Sequence, residues 1–139
     1  MVDQITVFLE NSKGRLADLC RTIGNAGVNM NALTIAETSD YGLVRIICDD
    51  AHKAEAALKA ADFRATITSM VAVAVPNEPG GLANLLETLD NNQLNIEYGY
   101  CFLLKGETAI DVLRIKDSQK AIEIIEAAGY KVLEPADLL

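Results

Sequence analysis

The chain has 139 residues, 50% of them apolar, and a net charge of −8. An acidic chain without a cluster of Lys and Arg repels phosphate backbones, so this composition argues against nucleic-acid binding. The N-terminus lacks the basic and apolar regions of a signal peptide, and the longest apolar run, residues 70–75, is too short to span a bilayer. We therefore expect a cytoplasmic protein with no membrane contact.

The first half of the chain predicts the element order β-α-β-β-α. Its apolar periodicities indicate a strand at residues 4–9, a helix after a loop at 10–14, strands at 28–36 and 42–48 around a turn at 37–41, and a helix at 51–61. Ser12 is a candidate N-cap of the first helix, because its hydroxyl can accept a hydrogen bond from a free N–H group. Asp50 stands at the start of the second helix.

Residues 64–75 form one long β-like run that joins the two halves of the chain. The run is too long for one average strand, so we interpret it as the last strand of one module passing directly into the first strand of the next. No linker rich in Pro, Gly or Ser intervenes, which favours two modules fixed side by side. The predicted domains are residues 1–69 and 70–139.

The loop and first helix recur in the second half of the chain. The segment NSKGRLADLCRTIGNAGVNM begins at Asn11, and NEPGGLANLLETLDNNQLNI begins at Asn77, 66 residues later. The same offset pairs Gly14 with Gly80, Leu16 with Leu82, Leu19 with Leu85 and Asn29 with Asn95. Repetition at this spacing indicates two copies of one structural unit.

The second copy predicts the same order of elements. They are a helix with Pro79 in its first turn, strands at residues 94–104 and 108–115 around a turn at 105–107, a helix opened by Asp117, and a strand at 130–133. A βαββαβ order places two helices on one face of a four-stranded antiparallel sheet. We predict an α+β fold of two ferredoxin-like βαββαβ modules.

Few residues suggest catalysis. His52, the single histidine, falls at an exposed helix start, and Asp49 and Asp50 fall where helix capping explains a carboxylate. The three cysteines have no CxxC spacing and fall on apolar stripes or strands, so we expect them to pack in the core. The chain has neither a Walker loop nor a GxGxxG motif. We predict no catalytic residue, no metal site and no cofactor.

A binding site is better supported by the sequence. In both copies a loop opens directly onto a helix N-terminus, where unpaired N–H groups and the helix dipole favour a carboxylate. Gly14 and Gly80 keep this backbone accessible, and the amides of Asn11 and Asn77 can contact either a carboxylate or an ammonium group. Gly and Asn also serve simply to shape turns. Their paired occurrence in both copies favours the binding interpretation.

These residues resemble the ACT domain family. The resemblance is carried by N-x-x-G-x-L at residues 11–16, N-x-P-G-x-L at residues 77–82 and the GVNM turn at residues 27–30, with βαββαβ twice along essentially the whole chain. The resemblance implies a regulatory module that binds a free amino acid or a related small molecule, often at an interface between paired ACT domains. It also implies a homodimer and a separate regulated protein as partners.

In ACT domains the ligand contacts come from the first loop, the helix start and the facing second strand. The residues that match them here are Asn11, Ser12, Lys13, Gly14, Arg15, Leu16, Asn29, Met30, Asn31, Asn77, Glu78, Pro79, Gly80, Gly81 and Leu82. In each module we expect the start of the second strand to lie beside the first loop. The copies differ, because Pro79 stands where the first has Lys13 and Gln93 where it has Gly27. This difference predicts unequal sites.

Two other interpretations remain open at this stage. A small ferredoxin-like enzyme, resembling an acylphosphatase or an isomerase, would use Arg15 and Asn31, although the second copy has Gly81 and Glu97 at those places. A ligand-free interaction module would pair through its sheet edges. Assembly of such a module would not respond to amino acids.

Overall fold

The structure, a computed structural model, describes residues 1–37, 40–103 and 106–138. Its elements are β1 (Val2–Glu10), α1 (Arg15–Asn25), β2 (Met30–Glu37), β3 (Tyr41–Cys48), α2 (Ala51–Ala60), β4 (Arg64–Pro76), α3 (Gly81–Asn91), β5 (Ile96–Leu103), β6 (Thr108–Ile115), α4 (Ser118–Ala127), β7 (Lys131–Val132) and a terminal 3-10 helix (Pro135–Leu138). In the part of the chain that is described, no helix is long and apolar enough to cross a membrane.

The chain forms two compact units. The first module comprises Asp3–Thr68, and the second module comprises Ser69–Leu139 together with Met1–Val2. Strand β4 continues through the boundary, so one strand ends the first module and begins the second, as its length predicted. The Met1 ammonium group pairs with Glu134 at 3.1 Å, which holds the N-terminus within the second module.

Both modules have the predicted ferredoxin-like arrangement. The strands are neighbours in the order β2-β3-β1-β4 in the first module and β5-β6-β4-β7 in the second. The registers also correspond, because Val44 of β3 lies between Val7 and Ile35 on its neighbouring strands. At the equivalent place in β6, Asp111 lies between Val73 and Cys101.

Each module has its own hydrophobic core between its helices and one face of its sheet. In the first module, Leu19 and Ile23 of α1 and Leu58 of α2 are fully buried against the strands. In the second module, Leu85 of α3 and Ile125 of α4 occupy the corresponding places. These are the positions that the apolar periodicity predicted, since residues at helical spacing share one face.

Aspartates cap the second helix of each module. The Asp50 carboxylate accepts a hydrogen bond from the Lys53 N–H group at 3.0 Å, and Asp117 accepts one from the Lys120 N–H group at 3.2 Å. The capping role predicted for Asp50 is confirmed. The side chain of His52, at the same helix start, is 77% exposed and lies 3.4 Å from Asp3.

We expect Asp50→Ala to lower the free energy of unfolding by about 1 kcal/mol, because it leaves the N–H group of Lys53 without its cap. Urea denaturation measures this change. His52→Ala at the same helix start is the control and should change stability by less than about 0.5 kcal/mol. Equal losses in the two variants would contradict a specific capping role.

The helix C-termini account for the later start of the second strand in each module. The N–H groups of Val28 and Leu94 bond back to the carbonyls of Ile23 and Leu89, at 3.3 and 3.0 Å. The second strand of each module therefore begins two residues later than predicted, because these N–H groups are used by the helix ends. The predicted turns at residues 37–41 and 105–107 include Thr38, Ser39 and Lys105, which lie outside the described residues.

Candidate functional site

The loop between β1 and α1 is held by backbone hydrogen bonds at both ends. The Asn11 N–H group bonds the Asp40 carbonyl at 3.5 Å, and the Ser12 N–H group bonds the Glu10 carbonyl at 2.8 Å. The Arg15 N–H group then bonds the Ser12 carbonyl at 3.3 Å. Residues 11–14 remain exposed.

The second module repeats this bonding pattern. The N–H groups of Asn77, Glu78 and Gly81 bond the carbonyls of Glu107, Pro76 and Glu78, at 2.8, 3.0 and 3.0 Å. Gly14 and Gly80 have φ values of +90° and +83°, a conformation that glycine adopts without strain. The two loops therefore match in backbone geometry as well as in sequence.

Glycine caps the first helix of each module, which corrects two expectations. The N-caps are Gly14 and Gly80, and neither helix has a side-chain cap, so Ser12 is not the N-cap. Pro79 precedes the second of these caps and lies outside the helix, so its placement in the first turn was wrong. The Arg15 N–H group is bonded to Ser12, so the N–H groups of Leu16 and Ala17 are the ones at the start of α1 that no described group caps.

A small pocket opens beside the first loop. Its volume is about 160 Å³, and it is lined by Leu9, Glu10, Asn11, Ser12, Leu16, Ile35, Glu37 and Gly42. The structure therefore brings three predicted site residues, Asn11, Ser12 and Leu16, to one pocket. It adds two carboxylates that the sequence analysis missed, Glu10 and Glu37, from the ends of β1 and β2.

Arg15 lines a second pocket, which has a volume of about 400 Å³. The Arg15 guanidinium stacks 4.3 Å from the centre of the Phe63 ring, and Arg64 lies 5.8 Å from that of Phe8. Among the described residues, no group accepts a hydrogen bond from the buried Nε atom of Arg15. Glu10 and Asp62 also line this pocket, so its lining carries two acidic side chains as well as two guanidinium groups.

The start of β2 lies away from the first loop within the module, and this corrects the expected arrangement. Glu37, at the end of β2, pairs with Gly42 beside the loop, whereas Met30 pairs with Cys48 at the other end. A strand rises about 3.3 Å per residue, so the predicted site residues Asn29, Met30 and Asn31 lie about 20–26 Å from the loop end. The backbone of Asn29 is bonded instead to Asp49.

The same separation weighs against the acylphosphatase-like interpretation. Arg15 begins α1 at the loop end of the first module, and Asn31 lies near the start of β2 at the opposite end. Both side chains would have to contact one phosphoryl group to act together, and about 20 Å separates the two ends. Arg15 and Asn31 of one module therefore cannot share a phosphoryl group.

The cysteines differ in their surroundings. Cys20 and Cys48 pack against the first core, as predicted, whereas Cys101 is exposed and its expected core packing was wrong. Burial raises the pKa of the Cys48 thiol from 9.0 to about 11, so it is protonated at neutral pH and is a poor nucleophile. Within the described residues, no group of three or more His, Cys, Asp and Glu side chains is placed to hold a metal ion.

The sequence analysis also missed Asp111, which is buried in the second module. Its signal was available, because Asp111 is a charged residue within the otherwise apolar segment AIDVL of β6. Leu113 and Ile115 on the same strand face the helices, and alternation places Asp111 on that face.

Comparison with known proteins agrees with this architecture. The family model described as "ACT domain pair" matches residues 1–139. The crystal structure of protein BT0572 from Bacteroides thetaiotaomicron is 36% identical to the chain, with a TM-score of 0.93, and covers 99% of this chain and 94% of that one.

The ligand-free regulatory subunit of aspartate kinase from Thermus thermophilus has a TM-score of 0.67 at 16% identity, with 91% and 92% of the two chains covered. The corresponding subunit from Thermus flavus has a TM-score of 0.63 at 17% identity, with 91% of each chain covered. At these identities the likeness shows the fold alone. No curated protein matches the chain.

Proposed function

Because this chain belongs to the ACT domain pair family, we propose that it is a non-enzymatic regulatory protein that binds a free amino acid at the first loop of its first module. The observation that carries this proposal is the pocket of about 160 Å³ beside that loop. The pocket combines the N-terminus of α1 with the carboxylates of Glu10 and Glu37. An amino acid needs these two opposite polarities in one site.

Each end of an amino acid has a counterpart in this pocket. The N–H groups of Leu16 and Ala17 and the positive end of the α1 dipole suit the carboxylate, and Asn11 and Ser12 line the same pocket as Leu16. The ammonium group suits Glu10 or Glu37, since charge-assisted hydrogen bonds are the stronger ones. The small volume favours a small amino acid.

The second module offers the same loop with different side chains, and we propose that its affinity differs. Lys13 and Arg15 are replaced there by Pro79 and Gly81, so two cations near the loop are absent. Gly80, Glu78 and the other residues of this loop remain candidates for a weaker site. Regulation would follow if the ligand favours one conformation or one assembly, such as a homodimer, over another.

We expect at least one amino acid at millimolar concentration to raise the melting temperature of the protein. A ligand present at 100 times its Kd stabilises the folded state by about 2.7 kcal/mol. A thermal-shift screen of the common amino acids checks this expectation. If no amino acid changes the melting temperature, and assembly measured by size exclusion is also unchanged, the ligand-free interaction module becomes the better account.

Glu37→Gln should weaken binding of the amino acid found in that screen by roughly tenfold, or about 1.4 kcal/mol, because the ammonium group loses its charged partner. Isothermal titration calorimetry gives the affinity. Glu87→Gln, which neutralises an exposed carboxylate on α3, is the matched control and should bind like the original protein. If Glu37→Gln and Glu10→Gln both bind like Glu87→Gln, the ligand lies elsewhere.

A further inference from the structure

The second module contains a cavity of about 420 Å³ between α3 and its sheet. Leu82 and Leu86 line it from the helix, and Ile96 and Leu113 line it from β5 and β6. The volume lies within the range of about 300–1,000 Å³ that small-molecule pockets occupy. The walls are apolar, with one ionisable carboxyl group among them.

That carboxyl group is Asp111, which is only 4% exposed. Among the described residues, no group donates a hydrogen bond to its side chain or forms an ion pair with it, and burial raises its pKa. An ionised side chain buried without a partner is costly, and buried charges are usually paired. Its placement on the cavity wall therefore suggests that the partner comes from outside the chain.

The repeat shows how this cavity arises. Val44 takes the place of Asp111 in the first module, with Ile35 opposite it where the second module has Cys101. Leu33 likewise takes the place of Gly99, since Leu33 pairs with Ile46 as Gly99 pairs with Leu113.

Three apolar side chains of the first module are thus replaced by two smaller residues and one acid. A Cβ atom at Gly99 would lie 2.7 Å from Cδ2 of Leu113, so this position must remain a glycine for Leu113 to keep its place. The second module therefore has a space with a carboxyl group in its wall where the first module has apolar side chains.

We propose that this cavity binds a primary amine with an apolar body, its ammonium group paired with Asp111 and its body lying against Leu82, Leu86 and Leu113. An ammonium group supplies the positive partner that the carboxylate lacks, and contact with the leucines removes the apolar body of the ligand from water. An anionic ligand would meet a like charge. The inference is independent of the amino-acid site proposed in the first module, which shares no residue with this cavity and requires a carboxylate on its ligand.

The probe is 3-methylbutylamine, compared with 3-methylbutanol and 3-methylbutanoate, which have similar shapes but neutral and negative head groups. Titration followed by NMR at pH 7.5 should show the amine binding at least tenfold more tightly than the alcohol, with shifts at the amides of β5 and β6. The acid should not bind. Equal affinities of amine and alcohol would reduce the cavity to an apolar pocket and overturn the proposal.

Two variants test the site itself. Asp111→Asn keeps the shape of the side chain but removes its charge, and Cys101→Ile narrows the cavity with the residue that the first module carries. Both should weaken amine binding at least tenfold. Glu123→Gln, which removes a charge from the exposed face of α4, should bind the amine like the original protein. Unchanged binding by Asp111→Asn would overturn the proposal.

Other outcomes also decide the matter. If 3-methylbutanoate binds and the amine does not, Asp111 acts as a protonated donor and the proposal is wrong. If the amine fails and the protein is a dimer whose contacts protect this face from hydrogen exchange, a second copy occupies the cavity. Neither result affects the amino-acid site, because the probes lack the combined ammonium and carboxylate groups.

Discussion

Replacing Gly81 by alanine is expected to lower the free energy of unfolding of the second module by about 2–3 kcal/mol. A Cβ atom at this position would lie 2.3 Å from the carbonyl oxygen of Pro76, which is backbone and cannot rotate away. The loop must therefore shift, which strains the bond from the Gly81 N–H group to the Glu78 carbonyl. Urea denaturation, with hydrogen exchange of α3 amides to assign the module, measures the loss.

The control is a glycine-to-alanine substitution in α1 of the first module. Gly24→Ala has no atom within 4 Å of its Cβ position, so it should stabilise the protein by up to about 1 kcal/mol, because alanine is the better helix former. Opposite signs for Gly81→Ala and Gly24→Ala are the expected result. A stabilising Gly81→Ala would show that the close approach to Pro76 relaxes without cost.

Asp111→Val is expected to raise the free energy of unfolding by about 1–3 kcal/mol at pH 7, because it replaces an unpaired buried carboxylate with the residue found at the equivalent position of the first module. Val44→Asp is the reciprocal variant and should cost at least as much. Urea denaturation of both variants checks the pair. A destabilising Asp111→Val would mean that the carboxylate has a stabilising partner in the folded protein.

The gain from Asp111→Val should depend on pH. Burial raises the pKa of Asp111 above its ordinary value of 3.8, so the folded protein binds its proton more tightly than the unfolded chain does. The protonated side chain is less costly to bury than the carboxylate. The contribution of Asp111 to the free energy of unfolding is therefore most favourable below pH 3.8 and is lost as the pH rises through the pKa of the folded state. The advantage of the valine variant should therefore be largest at neutral pH and shrink towards pH 3.8.

If the cavity binds an amine, the destabilisation caused by Asp111 is linked to function. The unpaired carboxylate destabilises the folded second module, and the bound ammonium group removes that destabilisation. Asp111→Val would then produce a more stable protein that no longer binds the amine. Such a trade between stability and binding is common where a site needs a buried polar group.

The sequence alone determined the repeat, the α+β class, the continuous β4 strand, the cap at Asp50 and the helix start at Asp117. These features depend on residues that are close along the chain or separated by a fixed offset. Apolar spacing distinguishes a helix from a strand, and an aspartate at a helix start needs only the next three residues to cap it. Local rules were sufficient for them.

Only the tertiary structure decided which residues meet. Strand register placed Glu37, rather than residues 29–31, beside the first loop, and helix geometry made Gly14 the cap in place of Ser12. Register likewise turned Asp111 towards α3 and set it opposite Cys101. A shift of one residue would have turned Asp111 to the other face of the sheet, so its burial depends on the pairing of strands that no local pattern encodes.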